Sequence, residues 1–201
     1  MERLDLLYAH IDDHTVPQSE TVEGFGALVA EGTVGLLGVS NQAVWRVERA
    51  RALAAAAGLP GYEVLQYQHS LLRPRTDVPS DLFPDGSLGH AGAEMAGYLR
   101  AEPGLTLVAC SPLLCGAYAR PERLPADFDH PGVPARLAVL HEIARETGAT
   151  PGQVVLAWQI GHELPVIPLA GASSVAQLEE NLAAVDLELP PEQWARLDAA
   201  H

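Results

Sequence analysis

The sequence predicts an α/β fold of about five parallel βα units. Short apolar runs alternate with longer amphipathic segments five times without a break, the signature of strands joined by crossover helices. The short runs are apolar on both faces, as strands buried inside a parallel sheet are. No low-complexity linker or shift in composition divides the 201 residues, so residues 1–201 read as a single domain.

Residues 4–11 read as the first strand and 19–31 as the first helix. A strand over 34–39 follows, then Ser40 and Asn41, which are good helix N-cap types. Residues 43–57 form an Ala-rich helix closed by Gly58 and Pro60. The next strand is 62–68, and a Pro/Asp/Gly-rich loop runs over 73–89. A helix over 91–101 and a strand over 105–110 lead into a second long loop, 111–132. Helices are predicted over 134–147 and 150–160, then a strand over 165–169 and a helix over 174–185. A last helix, 190–200, starts at a Pro-Pro pair.

A net charge of −14 argues against binding nucleic acid through its phosphates and against docking on an acidic membrane. No apolar run approaches the roughly 18 residues of a membrane span. Cys110 and Cys115 are too few for a disulfide framework, and the N-terminus shows no signal-peptide pattern, so a reduced cytoplasmic setting is expected. All twelve Lys+Arg residues are arginine. The absence of lysine removes Schiff-base chemistry and any phosphate-gripping P-loop lysine.

Several residues are candidates for chemistry. Tyr8 and His10 stand at i and i+2 on a strand and so face one side; such a pair can donate and accept protons. Asp12, Asp13 and His14 follow, but their spacing matches no helix-based metal motif, and a solvated loop with no metal is the expectation. His69 is open between pocket and core. Cys110 and Cys115 read as buried, inert thiols, and Trp45, Trp158 and Trp194 as packing anchors on amphipathic helices. A doubly wound five-stranded sheet is the alternative architecture, although no GxGxxG turn follows the first strand.

The segments LDLLYAHIDD, GLLGVSN, LQYQHSLL, VACSPLLCGAY, QVVLAW and VIPLAGASSVAQLEENL occur in this order. Together they resemble the aldo-keto reductase family from its fourth barrel strand to its C-terminus. The resemblance implies a truncated TIM-type (β/α) barrel with its site at the C-terminal ends of the strands. It places the family's histidine at His10; the family's Asp, Tyr and Lys belong to units not matched here. It implies a nicotinamide cofactor, NADP or NAD, whose carboxamide would meet Ser40, Asn41 and Gln66. Ser111, Leu113 and Gly116 match the loop that crosses the pyrophosphate, and Gly171, Ser173, Gln177 and Asn181 the segment near the adenine end. Two departures leave loss of the cofactor open. The aromatic that stacks on the nicotinamide falls at Cys110. The basic residue that grips the 2′-phosphate falls at Ser173, a loss of about 1.5–3 kcal/mol if nothing replaces it.

Five strands of an eight-stranded barrel cannot close, which leaves an unpaired edge at each end. A homodimer covering the open side is expected; missing units supplied by another polypeptide, or a fragment of a longer product, are the alternatives. Three function classes stay open: an NAD(P)-linked carbonyl oxidoreductase with Tyr8 or His10 as a non-standard proton donor, a non-redox acid–base enzyme such as a dehydratase, isomerase or cyclase, and a non-catalytic binding or assembly subunit. A small-molecule substrate would meet the loops at 73–89 and 111–132.

Overall fold

Five short strands carry the fold, and the computed structural model describes it over residues 3–77 and 89–200. The strands are β1 (Leu4–Ala9), β2 (Val34–Ser40), β3 (Val64–Gln68), β4 (Thr106–Cys110) and β5 (Val166–Leu169). They stand in one sheet in chain order. The helices are α1 (Gln18–Ala30), α2 (Val44–Ala56), α3 (Ala93–Ala101), α4 (Gly132–Thr147), α5 (Pro151–Ile160), α6 (Val175–Leu182) and α7 (Pro191–Ala199). The expected loop over 73–89 lies largely outside the described residues. The expected loop over 111–132 holds three single 3-10 turns, at Leu114–Gly116, Pro121–Arg123 and Ala126–Phe128.

Contacts gather the chain into two units. One holds residues 3–67 and 89–108, the other 68–77 and 109–200. In the first, β1 pairs with β2 in parallel, Tyr8 opposite Gly38 and Ala9 opposite Val39. β2 pairs with β3, Val39 opposite Leu65 and Ser40 opposite Gln66. Because side chains alternate across a strand, Ala9, Val39 and Leu65 share one face, and all three are buried. Val22, Leu37, Ala50, Ala54 and Tyr62 line a small apolar pocket, so α1 and α2 cover this side. Leu4, Leu36, Tyr8, Ser40 and Gln66 share the other face, where Leu4 and Leu36 stay exposed.

Local chemistry explains where the helices stop and start. Gly58 takes a left-handed backbone (φ 67°) beyond α2, and Leu59 N–H closes on the Ala54 carbonyl. In the second unit, Thr150 and Gln153 form a reciprocal capping box at α5, with Pro151 at the first helical position. α4 begins at Gly132 rather than at 134; Pro134 is tolerated in its first turn, where the missing N–H would have no partner.

The core of the second unit gathers Leu71, Leu72, Tyr118, Phe128, Leu140 and Ile143. Tyr118 is 2% exposed, and burial raises its hydroxyl pKa well above the usual tyrosine value. The hydroxyl oxygen accepts hydrogen bonds from Leu71 N–H at 2.9 Å and Leu72 N–H at 3.3 Å. Arg136 donates to the Leu71 carbonyl at 3.0 Å. Tyr118→Phe leaves two buried N–H groups without an acceptor. The variant is expected to lose about 1–3 kcal/mol of stability in urea unfolding at unchanged m-value.

Candidate functional site

In the first unit the candidate residues cluster at the ends of β1, β2 and β3. The Tyr8 ring lies over Gly38, so closely that a Cβ at Gly38 would run into it. Burial raises the Tyr8 hydroxyl pKa above its usual value. His10 sits one residue past the end of β1 and is exposed. β1 therefore ends two residues earlier than the sequence predicts.

Ser40 and Asn41 do not cap α2 as expected, because α2 starts at Val44 with Ala43 as N-cap. Their side chains serve the sheet end instead. The Ser40 hydroxyl donates to the Gln66 carbonyl at 2.6 Å. Asn41 has a left-handed backbone (φ 54°), a conformation its short amide tolerates. Its Nδ2 donates to the His10 carbonyl at 3.0 Å. The side chains of Ser40 and Asn41 thus cross-link β2 to β3 and to the end of β1.

Two residues that sequence reasoning passed over hold this arrangement. Tyr67 is 2% exposed. Its hydroxyl donates to the Gln42 carbonyl at 2.6 Å and accepts from Gln42 N–H at 3.2 Å. Gln42 is itself buried, so the backbone just past Asn41 is clamped from both its polar groups. The clue in the sequence was a tyrosine at a position that alternation sends into the core, where its hydroxyl needs a partner.

The Asp12–His14 segment is a loop with Asp13 and His14 exposed, and Asp12 ties it to α2. Asp12 accepts two bonds from the Arg46 guanidinium, from Nη2 at 2.9 Å and from Nε, and His14 Nε2 lies 3.1 Å from Asp12. Arg46 in turn stands over the Trp45 ring, 5.6 Å from its centre. Trp45, expected as a packing anchor, is largely exposed, because helical phase gives the inward position beside it to Val47 and Arg46. Among the described residues no group of three His, Cys, Asp or Glu is arranged to hold a metal.

A carboxamide ligand needs a donor and an acceptor at fixed positions. The Ser40 hydroxyl proton and Asn41 Nδ2 are already engaged. Gln66 keeps its whole side-chain amide unbonded among the described residues, and Asn41 keeps Oδ1. Gln66 thus offers both a donor and an acceptor, and Asn41 an acceptor.

In the second unit the loop after β4 is strained. Ser111 (φ 52°), Leu114 (φ 45°), Cys115 (φ 53°) and Gly116 (φ 84°) all have positive φ, where only glycine is at ease. Leu114 N–H bonds the Ser111 carbonyl, and Gly116 N–H the Leu113 carbonyl. Burial raises the Cys110 thiol pKa, which keeps it protonated. Cys115 is exposed, contrary to the expected burial. His69 is half-buried and stacks on Trp158 with ring centres 5.4 Å apart.

Gln177 and Asn181 fold back on the loop before α6. Gln177 Oε1 accepts from Ser173 N–H and Oγ at 2.8 and 2.9 Å. Ser174 Oγ caps α6 by accepting from Gln177 N–H at 3.2 Å. Asn181 Nδ2 donates to the Gly171 carbonyl at 3.4 Å. The four candidates of this segment hold one another.

The family model of the Aldo/keto reductase family matches residues 1–201. Aldo-keto reductase str7 of Strobilurus tenacellus is 31% identical over 96% of this chain and 56% of its own length. An uncharacterized oxidoreductase of Mycobacterium tuberculosis is 34% identical over 94% of this chain and 56% of its own. A thermostable aldo-keto reductase crystallised with the inhibitor epalrestat superposes with a TM-score of 0.75 at 25% identity, covering 100% of this chain and 61% of that one. The chain belongs to the aldo-keto reductase family, and it spans about half the length of the curated relatives it matches.

Tyr67→Phe removes both bonds to Gln42 and leaves its N–H and C=O buried. Faster amide hydrogen exchange at Asn41 and Gln42 is expected, with a stability loss of about 1–3 kcal/mol. Unchanged exchange at both positions would show that the clamp does not hold the strand end.

Proposed function

We propose that the chain carries the nicotinamide-facing part of a carbonyl oxidoreductase that prefers NAD to NADP and takes its proton from His10. The observation that carries this reading is the side-chain amide of Gln66, unbonded among the described residues, while Ser40 and Asn41 are engaged in tying the strand ends. When bound, the reduced cofactor supplies hydride chemistry. Gln66 and Asn41 would hold its carboxamide and so fix which face of the ring is presented.

His10 would give the proton that the carbonyl oxygen needs as it becomes a hydroxyl. An imidazole can pass a proton to a developing alkoxide, and at this exposed strand end it can be reloaded from water. Tyr8 is the weaker candidate, because burial raises its hydroxyl pKa and so makes it a poorer acid.

The preference for NAD rests on charge. Residues 151–195 contain six acidic residues and no arginine. Ser173, which stands where the family's phosphate-gripping base falls, is engaged with Gln177. A 2′-phosphate would find no charge-assisted partner in this segment. The free thiols Cys110 and Cys115 support a reducing, cytoplasmic setting. Among the described residues no helix is long and apolar enough to cross a membrane.

NADH is expected to quench tryptophan fluorescence with a Kd in the range of about 1–100 μM, and NADPH at least roughly tenfold more weakly. Gln66→Ala is expected to weaken NADH by about tenfold. No quenching at millimolar NADH defeats the redox reading; if an acid–base turnover then depends on His10, the non-redox class takes its place.

Reduction of an activated aldehyde by NADH separates the two donors. An imidazole donor is lost with the His10 side chain, whereas a phenol donor is lost in Tyr8→Phe. A tyrosine whose pKa is raised above 10 would hold its rate through pH 9. His10→Ala is expected to lose about 10²-fold or more in kcat with NADH affinity kept. Full activity in that variant excludes His10 as the donor.

A further inference from the structure

His10 has no side-chain partner to aim it. Among the described residues its imidazole takes part in no hydrogen bond, ion pair or ring contact. A histidine that handles protons is ordinarily oriented by a bond on its second ring nitrogen. Here the placement of the ring falls to the backbone that carries it. On one side that backbone is held by Asn41, whose Nδ2 donates to the His10 carbonyl at 3.0 Å.

On the other side the hold comes from Asp12. Thr15 N–H and Oγ1 donate to Asp13 Oδ1 at 2.9 and 2.6 Å, but these bonds stay inside the loop. Asp12 reaches out of it to α2. Both of its carboxylate oxygens accept from one guanidinium, that of Arg46, one from Nη2 at 2.9 Å and the other from Nε. A two-pronged contact of this kind fixes direction as well as distance. Arg46 is itself anchored, because Gln18 Nε2 donates to its carbonyl at 2.8 Å and its guanidinium lies over the Trp45 ring.

The burial of the pair argues for a role other than stability. The Asp12 and Arg46 side chains are 10% and 13% exposed. Charges taken that far from water lose hydration, and their mutual attraction does little more than offset the loss. An apolar pair would hold the fold as well, but it would not impose direction. His14, 3.1 Å from Asp12, is well exposed and adds only a screened contact.

We propose that Asp12 and Arg46 are a positioning pair for His10. With Asn41 they fix the backbone on both sides of it, and so set where the imidazole meets the carbonyl oxygen. The proposal rests on His10 as the proton donor. Neither Asp12 nor Arg46 touches substrate or cofactor; both act through His10.

Arg46→Lys keeps the charge and loses the two-pronged contact. In reduction of an activated aldehyde by NADH it is expected to lower kcat at least about tenfold, the scale of a small misplacement, with KM, NADH affinity and circular dichroism unchanged. In a His10→Ala background the same substitution is expected to have no further effect, since residues acting through one group are not additive. Asp12→Asn/Arg46→Gln removes both charges together, leaves no unpaired buried charge, and is expected to lose rate as Arg46→Lys does. The backbone ¹⁵N order parameter of Ile11 is expected to fall from about 0.85 to below about 0.6 in both variants. The proposal is overturned if both variants keep kcat, or if Arg46→Lys lowers it by the same factor without His10. If the unaltered chain reduces no aldehyde, the redox reading fails, and the order parameter alone decides here: a fall at Ile11 upholds the hold on the His10 backbone, and an unchanged value overturns it.

Discussion

The arrangement at the strand ends depends on one hydroxyl. Tyr67 bonds both the N–H and the C=O of Gln42 from inside the core, and so fixes the chain as it leaves β2. Because Gln42 cannot shift, Asn41 is held in its left-handed conformation and reaches the His10 carbonyl. The parallel register then sets Ser40 opposite Gln66. Three strand ends are tied by the Ser40 hydroxyl and Asn41 Nδ2, and among the described residues the side-chain amide of Gln66 stays unbonded.

The second unit uses the same device with a different tyrosine. Tyr118 gathers the N–H groups of Leu71 and Leu72, while the residues before α6 secure one another through Gln177 and Asn181. Positive φ at Ser111, Leu114 and Cys115 stores local strain that this packing must hold. Each unit thus builds its candidate residues on its own internal hydrogen bonds. β5 and α6 depart from this pattern: their apolar side chains stay exposed, and their rim is acidic.

The order and type of the elements were legible because both signals are local. Parallel strands read as short apolar runs, and stops such as Gly58 or the Thr150–Gln153 box act within a few residues. What escaped was long-range or a matter of phase. Tyr67 and Gln42 are 25 residues apart, Tyr118 and Leu71 47 apart, so neither clamp has a local mark. Trp45 looked like core because aromatic residues on Ala-rich helices usually are, yet Arg46 beside it was drawn in by Asp12. Ser40 and Asn41 carry the composition of a helix cap, and only the paired strands show that the sheet takes their side chains. His10 stood out both by its spacing from Tyr8 and by family resemblance, whereas Gln66 was found through the resemblance alone.

The central claim is that the side-chain amide of Gln66, unbonded among the described residues, receives a nicotinamide carboxamide together with Asn41. The most direct measurement is side-chain amide chemical-shift mapping on the ¹⁵N-labelled chain during titration with NADH. The expected result is saturable movement of the Gln66 resonance, with a smaller movement at Asn41, absent in Gln66→Ala. Binding that moves neither amide would contradict it.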